Sequence, residues 1–254
     1  MVNLTKKFKN RYDGLMAYGS IPADVSEKVY KAVYEKCESG RVGKGAIREI
    51  KKMIKNIVFD MGQVLIRFER SLFIQRLGVD KDDEELLLRE VFRSIEWAQL
   101  DRGILTEKDA TKIICERVPE RLHGAVYNLI NKWDSPIIPV EGMEELLLEL
   151  KGEGHDLYLL SNASSRQHDY WPRIPGNSLF TDTLISADVG LIKPQPELYR
   201  MACEKFRIHP EESIFIDDSA ANVEAACNLG WNGIVFHGDV GELRLKLQAM
   251  IGKV

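Results

Sequence analysis

Cysteine is scarce in this chain. Only four of 254 residues are cysteines, Cys37, Cys115, Cys203 and Cys227. They stand far apart, with no Cys-x-x-Cys pair and no spacing suited to a metal site, so we expect reduced, mostly buried thiols in a cytoplasmic protein. Long hydrophobic runs are missing: nothing approaches the roughly 20 apolar residues of a membrane span. Residues 1–20 carry lysines but no continuous apolar stretch, which argues against a secretory leader. Repeats and low-complexity segments are also absent. With 44% hydrophobic and 29% charged residues, the composition is that of a folded protein and not of a long disordered chain.

Charge of one sign is lacking overall, but the balance is local. The formal net charge is −4; residues 1–55 hold 13 Lys+Arg against 6 Asp+Glu, giving +7, and the remainder carries −11. We place a junction near residue 53 on that ground. Residues 1–52 read as a basic helical extension. Ser20-Ile21-Pro22 opens a helix, and Val25, Val29, Tyr30, Val33, Tyr34 and Cys37 then recur at helical spacing. A second short helix follows Gly43-Lys44-Gly45. Its lysines read as a solvated helix face; without a base-reading motif, nucleic acid is not the expected partner.

The character changes at Lys55. Ile57-Val58-Phe59 is an apolar run ending in Asp60, the mark of a buried strand breaking into a loop. Residues 66–135 are rich in helix formers and hold no convincing strand. Asp82 to Leu100 reads as one amphipathic helix, and Thr106 to Asp109 has capping-box spacing for the next. From residue 138, strands at 156–160, 182–186, 213–216 and 233–236 alternate with helices at 141–151, 197–206 and 220–228. That alternation predicts an α/β, Rossmann-like parallel sheet with helices on both faces. The domains expected are an α/β core over 53–65 and 138–254, a helical insertion at 66–137, and the extension at 1–52.

In such sheets ligands bind beyond the carboxyl ends of the strands. Asp60, Ser161-Asn162 and Asp217-Asp218 all fall there. Three carboxylates that close need a cation, and a hard divalent ion with oxygen ligands, most simply Mg2+, meets the need. A hydroxyl (Ser161), an amide (Asn162) and a cation (Lys193) are what a phosphoryl group requires around its oxygens. An ionised aspartate beside Mg2+ is also able to attack as a nucleophile.

In chain order, Ile57-Val58-Phe59-Asp60-Met61-Gly62, Leu159-Leu160-Ser161-Asn162, Lys193-Pro194 and Ile214-Phe215-Ile216-Asp217-Asp218-Ser219 resemble the four motifs of the haloacid dehalogenase (HAD) superfamily. Ser186-Ala187-Asp188-Val189-Gly190 and Asp217-Asp218-Ser219-Ala220-Ala221-Asn222 are similar to the branch holding glucose-1-phosphate phosphatases and the phosphatase domain of soluble epoxide hydrolases. The resemblance implies a Mg2+-dependent phosphatase acting on a small phosphorylated metabolite, a sugar phosphate among the candidates, through an aspartyl-phosphate. It makes the 66–137 insertion a cap over the site. It makes Asp60 the nucleophile and a metal ligand, with the Gly62 carbonyl, Asp217 and Asp218 completing the metal site. Ser161 and the Asn162 amide would hold the phosphoryl group, Lys193 would neutralise it and orient Asp60, and Asn222 would position Lys193 or Asp218.

One departure matters. Many HAD phosphatases place a second aspartate, a general acid and base, where this chain has Gly62. Glu69, Asp101 and His168 are the candidates to replace it. Trp97, Trp133 and Trp171 read as packing residues and not as a sugar-stacking wall. Two other readings stand beside the phosphatase: a non-catalytic or very slow protein that binds phosphate or a partner, and a haloacid dehalogenase, which would leave Asp217 and Asp218 without a purpose.

Overall fold

Five parallel strands form one sheet in the order β3-β2-β1-β4-β5: β1 (Asn56–Phe59), β2 (Asp156–Ser161), β3 (Phe180–Ile185), β4 (Ser213–Asp217) and β5 (Asn232–Val235). The structure is a computed structural model describing residues 54–251; the helices expected over 1–52, and Cys37, lie outside the described residues. The first strand is central. Phe59 pairs with Leu159 on one side and Ile216 on the other, so the three central strands end level and release Asp60, Ser161 and Asp217 at one edge.

Strand periodicity of two divides the buried side chains between the faces. Ile57, Phe59, Leu157, Leu159, Ile214 and Ile216 point to one face. There they meet α6 (Met143–Gly152) and α11 (Val240–Ile251). Val58, Tyr158, Leu160 and Phe215 point to the other, against α9 (Pro196–Phe206) and α10 (Ala220–Cys227). Both faces are covered, which is why these strands are apolar at nearly every position. Helix α11 is an element the sequence reading passed over, although Val240, Leu243, Leu247 and Ile251 recur at helical spacing and are all buried. Short helical turns α7 (Gln167–Tyr170) and α8 (Ser186–Val189) follow β2 and β3.

Between β1 and α6 the chain is helical, as expected: α1 (Arg70–Gln75), α2 (Lys81–Leu87), α3 (Ile95–Asp101), α4 (Glu107–Cys115) and α5 (His123–Asn131). These helices bury a separate apolar cluster that includes Phe73, Leu87, Val91, Ile114 and Leu129. The single helix expected over 82–100 is corrected. Helix α2 ends at Leu87, a π-helical turn spans Leu88–Phe92, and Ser94 opens α3 by accepting the Trp97 N–H at 3.2 Å. The wide turn keeps Leu87, Val91 and Phe92 all in the cluster. Thr106 caps α4 as expected, accepting from the Asp109 N–H at 3.2 Å and donating to its carboxylate at 2.7 Å. Trp97 and Trp133 pack with Phe68, and Trp171 packs edge-on against Phe180, so the tryptophans are packing residues. Cys115, Cys203 and Cys227 are free thiols, but only partly buried.

Candidate active site

Asp60 is the first residue beyond β1, held there because its N–H continues the β1–β4 ladder to the Ile216 carbonyl at 2.8 Å. Asp217 closes β4 and is fully buried. Lys193, from the loop between α8 and α9, reaches between them: its Nζ lies 2.7 Å from Asp60 Oδ1 and 2.7 Å from Asp217 Oδ2. A third bond goes to the Leu160 carbonyl at 3.0 Å. With only 3% of its surface exposed, the ammonium directs all three of its donors into protein. Asn162 sets that position by gripping the Lys193 backbone, accepting its N–H at 2.8 Å and donating to its carbonyl at 3.1 Å. The Asn162 side-chain amide thus engages both backbone polar groups of Lys193. Ser161, buried at the end of β2, stands on the same edge.

Asn222 differs from expectation. Its amide donates to both Asp217 oxygens, at 3.0 and 3.2 Å, and not to Lys193 or Asp218. The cause is local: α10 begins three residues after β4 ends, so its first turn carries residue 222 back over Asp217. The Ser219 N–H adds a bond to the same carboxylate at 2.8 Å.

Asp60, Asp217 and Asp218 each offer an oxygen, and the three oxygens lie within 4.8 Å of one another. One lysine does not balance three carboxylates. Burial pushes Asp60 up to about 7, against the pull of Lys193 and with Asp217 adding to the rise. Burial and Asp217 likewise raise Asp218. Burial lowers the Lys193 ammonium, but Asp60 and Asp217 outweigh it and hold its pKa above the usual lysine range. A cluster of hard oxygen donors short of positive charge fits a divalent cation such as Mg2+. Gly62 lies in the tight turn where Met61 O accepts the N–H groups of Leu65 and Ile66. A Cβ there would meet only Phe68 Cβ, at 3.7 Å, so the backbone leaves room for a side chain to start.

The three candidate acids fall in different places. Glu69 lines a cavity of about 710 Å³ together with Arg67, Asp218 and His237. His168 is exposed and bonds Asp188 at 2.9 Å. Asp101, at the end of α3, feels the charges of Arg70, Asp60 and Lys193. Arg70, the first residue of α1, is the stronger of the two cationic influences on Asp101. Arg67, Arg70 and His237 were not singled out from sequence, since no motif marks them; Ser186 stood in the quoted 186–190 stretch, but its bond to the Asp101 carbonyl was not foreseen.

A carboxylate steered by a buried lysine, at the open edge of a parallel sheet and beside a cation-hungry acid pair, is the equipment of a hydrolase with an aspartate at its centre. Comparison with known proteins agrees: residues 54–230 match the family described as haloacid dehalogenase-like hydrolase. The chain belongs to that family and is an enzyme of the hydrolase class. It is similar to the sesquiterpene phosphatase astK of Aspergillus oryzae, 28% identical over 188 residues that cover 71% of this chain and 88% of the relative. It is similar to the D-ribitol-5-phosphate phosphatase of Bacteroides thetaiotaomicron, 28% identical over 195 residues, 70% of this chain and 90% of the relative. Among solved structures it resembles a HAD family enzyme of B. thetaiotaomicron in complex with magnesium and inorganic phosphate, with a TM-score of 0.55, 26% identity, and coverage of 75% of this chain and 98% of that one.

Proposed function

We propose that the protein is a Mg2+-dependent phosphatase that hydrolyses a small phosphorylated metabolite through an aspartyl-phosphate. The observation that carries this reading is the convergence of Asp60, Asp217, Asp218 and buried Lys193 at one sheet edge. The similarity to phosphatases and to a magnesium–phosphate complex supports it.

Asp60, Asp217, Asp218 and the Gly62 carbonyl would hold the ion, which when bound neutralises the carboxylates and lowers the charge barrier to an approaching phosphoryl group. Asp60 attacks phosphorus with its free carboxylate oxygen while Lys193 keeps it aimed and ionised. Ser161 Oγ and the Asn162 N–H take two phosphoryl oxygens. Asn222 and Ser219 hold Asp217 still, and Asn162 holds Lys193. The helices of 66–137 form a cap over a core of 53–65 and 138–254, with 1–52 an added extension. Specificity for the leaving group resides in the cap.

The test is phosphate release from a panel of sugar phosphates, nucleotides and acyl phosphates with Mg2+. Asp60→Asn, which preserves the shape of the carboxylate, serves as the blank. Gly62 favours a second reading, a slow or non-catalytic phosphate-binding protein; phosphate bound with no panel member hydrolysed would select it.

A further inference from the structure

We propose that Asp101 is the proton donor and acceptor that Gly62 cannot be, delivered to the site by the turn that ends α3. The inference rests on the phosphatase reading above. It starts from how firmly that turn is fixed. Ser186 is fully buried. Its hydroxyl donates to the Asp101 carbonyl at 2.5 Å and accepts the Ala163 N–H at 2.9 Å. One side chain thus spans the helical insertion and the segment carrying Ser161 and Asn162. Two residues on, Gly103 has φ +66°, and a Cβ there would come within 2.3 Å of the Ala187 carbonyl oxygen. Only glycine allows so close an approach. Arg102 reaches Gln195 Oε1 at 3.5 Å, and the same oxygen accepts the Ile192 N–H at 2.9 Å, next to Lys193. The turn is therefore registered against both stretches that supply site residues.

The turn brings Asp101 to where the charges of Arg70, Asp60 and Lys193 act on it, and among the described residues no salt bridge or hydrogen bond occupies its carboxyl. Buried Tyr170 in turn feels the charge of Asp101. His168, by contrast, is exposed and paired with Asp188, and Glu69 is not tied to the turn that Ser186 and Ala187 fix. Burial, only partly offset by Arg70, also pushes the Asp101 carboxyl up to about 7, in the range where a general acid is most useful at neutral pH.

The chemistry balances. As Asp60 forms a bond to phosphorus and the bond from phosphorus to the leaving oxygen breaks, the Asp101 proton passes to that oxygen and the alcohol departs. The Asp101 carboxylate then takes a proton from water as the water oxygen attacks phosphorus. Phosphate and the free Asp60 carboxylate are released, and Asp101 is protonated again.

The test compares wild type with Asp101→Asn, using kcat/KM, which reports the first step, on an alkyl phosphate and on p-nitrophenyl phosphate. Nitrophenolate leaves without a proton. We expect kcat/KM on the alkyl ester to fall by about 10²–10⁴-fold, and on the aryl ester by less than about tenfold. Adding Gly62→Asp to Asp101→Asn should restore alkyl turnover, which a variant that had merely failed to fold would not allow. Equal losses on both esters, or undiminished alkyl turnover, would overturn the role of Asp101 and leave the phosphatase reading standing. If wild type released phosphate from neither ester with Mg2+, both would fall.

Discussion

Lys193 is the residue on which the charge balance turns. Removing it, as in Lys193→Met, leaves Asp60 and Asp217 buried without their ammonium. Breaking a buried pair of this kind costs about 3–5 kcal/mol. Urea unfolding in EDTA should show that loss, and saturating Mg2+ should recover part of it, because the ion supplies charge at the same carboxylates. A loss indifferent to Mg2+ would mean that the acids do not bind the ion. Gly62 carries a different prediction. A Cβ there would meet only Phe68 Cβ, at 3.7 Å, so Gly62→Asp should fold. With Asp101 in place it should change turnover of esters with poor leaving groups by less than about tenfold, and in the Asp101→Asn background it should raise that turnover by about tenfold or more. An equally large gain in both backgrounds would mean that Asp101 supplies no proton. Most of these residues were legible in the sequence because each sits at a strand end or in a short motif. The duties of Asn162 and Asn222 were not, since a backbone clamp on Lys193 and a double bond to Asp217 depend on how two loops meet.

At the scale of elements, short apolar runs gave the strands and Thr106 gave the start of α4. The expected 82–100 helix failed because continuous amphipathicity is silent about register. The cap at Ser94 was written in the sequence, but the wide turn before it answers to the packing of Val91 and Phe92. The joint between α3 and α4 makes a testable contribution to stability. Arg117 forks onto Glu96 with bonds of 2.8 and 2.7 Å and also meets Glu90 at 3.1 Å. The Arg117 hydrogen bonds outweigh burial and hold Glu96 down at about 2. Between that value and the ordinary range near 4.5, the unfolded chain binds more protons than the folded one. Stability therefore rises with pH through this window, is complete above it, and is lost on acidification. Glu96→Gln should cost about 1–3 kcal/mol near neutral pH, less near pH 2. Thermal melts at both values check it, and a pH-independent cost would contradict the ion pair.

For the whole molecule, the sheet order places the first strand centrally and so collects residues more than 150 positions apart at one edge. The helical insertion is tied back to that edge from two sides. Ser164 Oγ donates to Glu107 at 2.7 Å, while Arg166 and Arg173 both pair with buried Asp134. None of these ties was visible in sequence, because each joins two surfaces that folding alone brings together. Of the described residues, no helix is long and apolar enough to cross a membrane. The −11 balance of residues 56–254 includes three carboxylates that call for a cation, and the account stands or falls on them. The most direct measurement is phosphate release across the panel of phosphorylated metabolites, with Mg2+, with EDTA, and with Asp60→Asn in place of wild type. The account predicts release by wild type that EDTA abolishes and Mg2+ restores, and none above background from a folded Asp60→Asn. Release that persists in EDTA, or an Asp60→Asn variant as active as wild type, would contradict it.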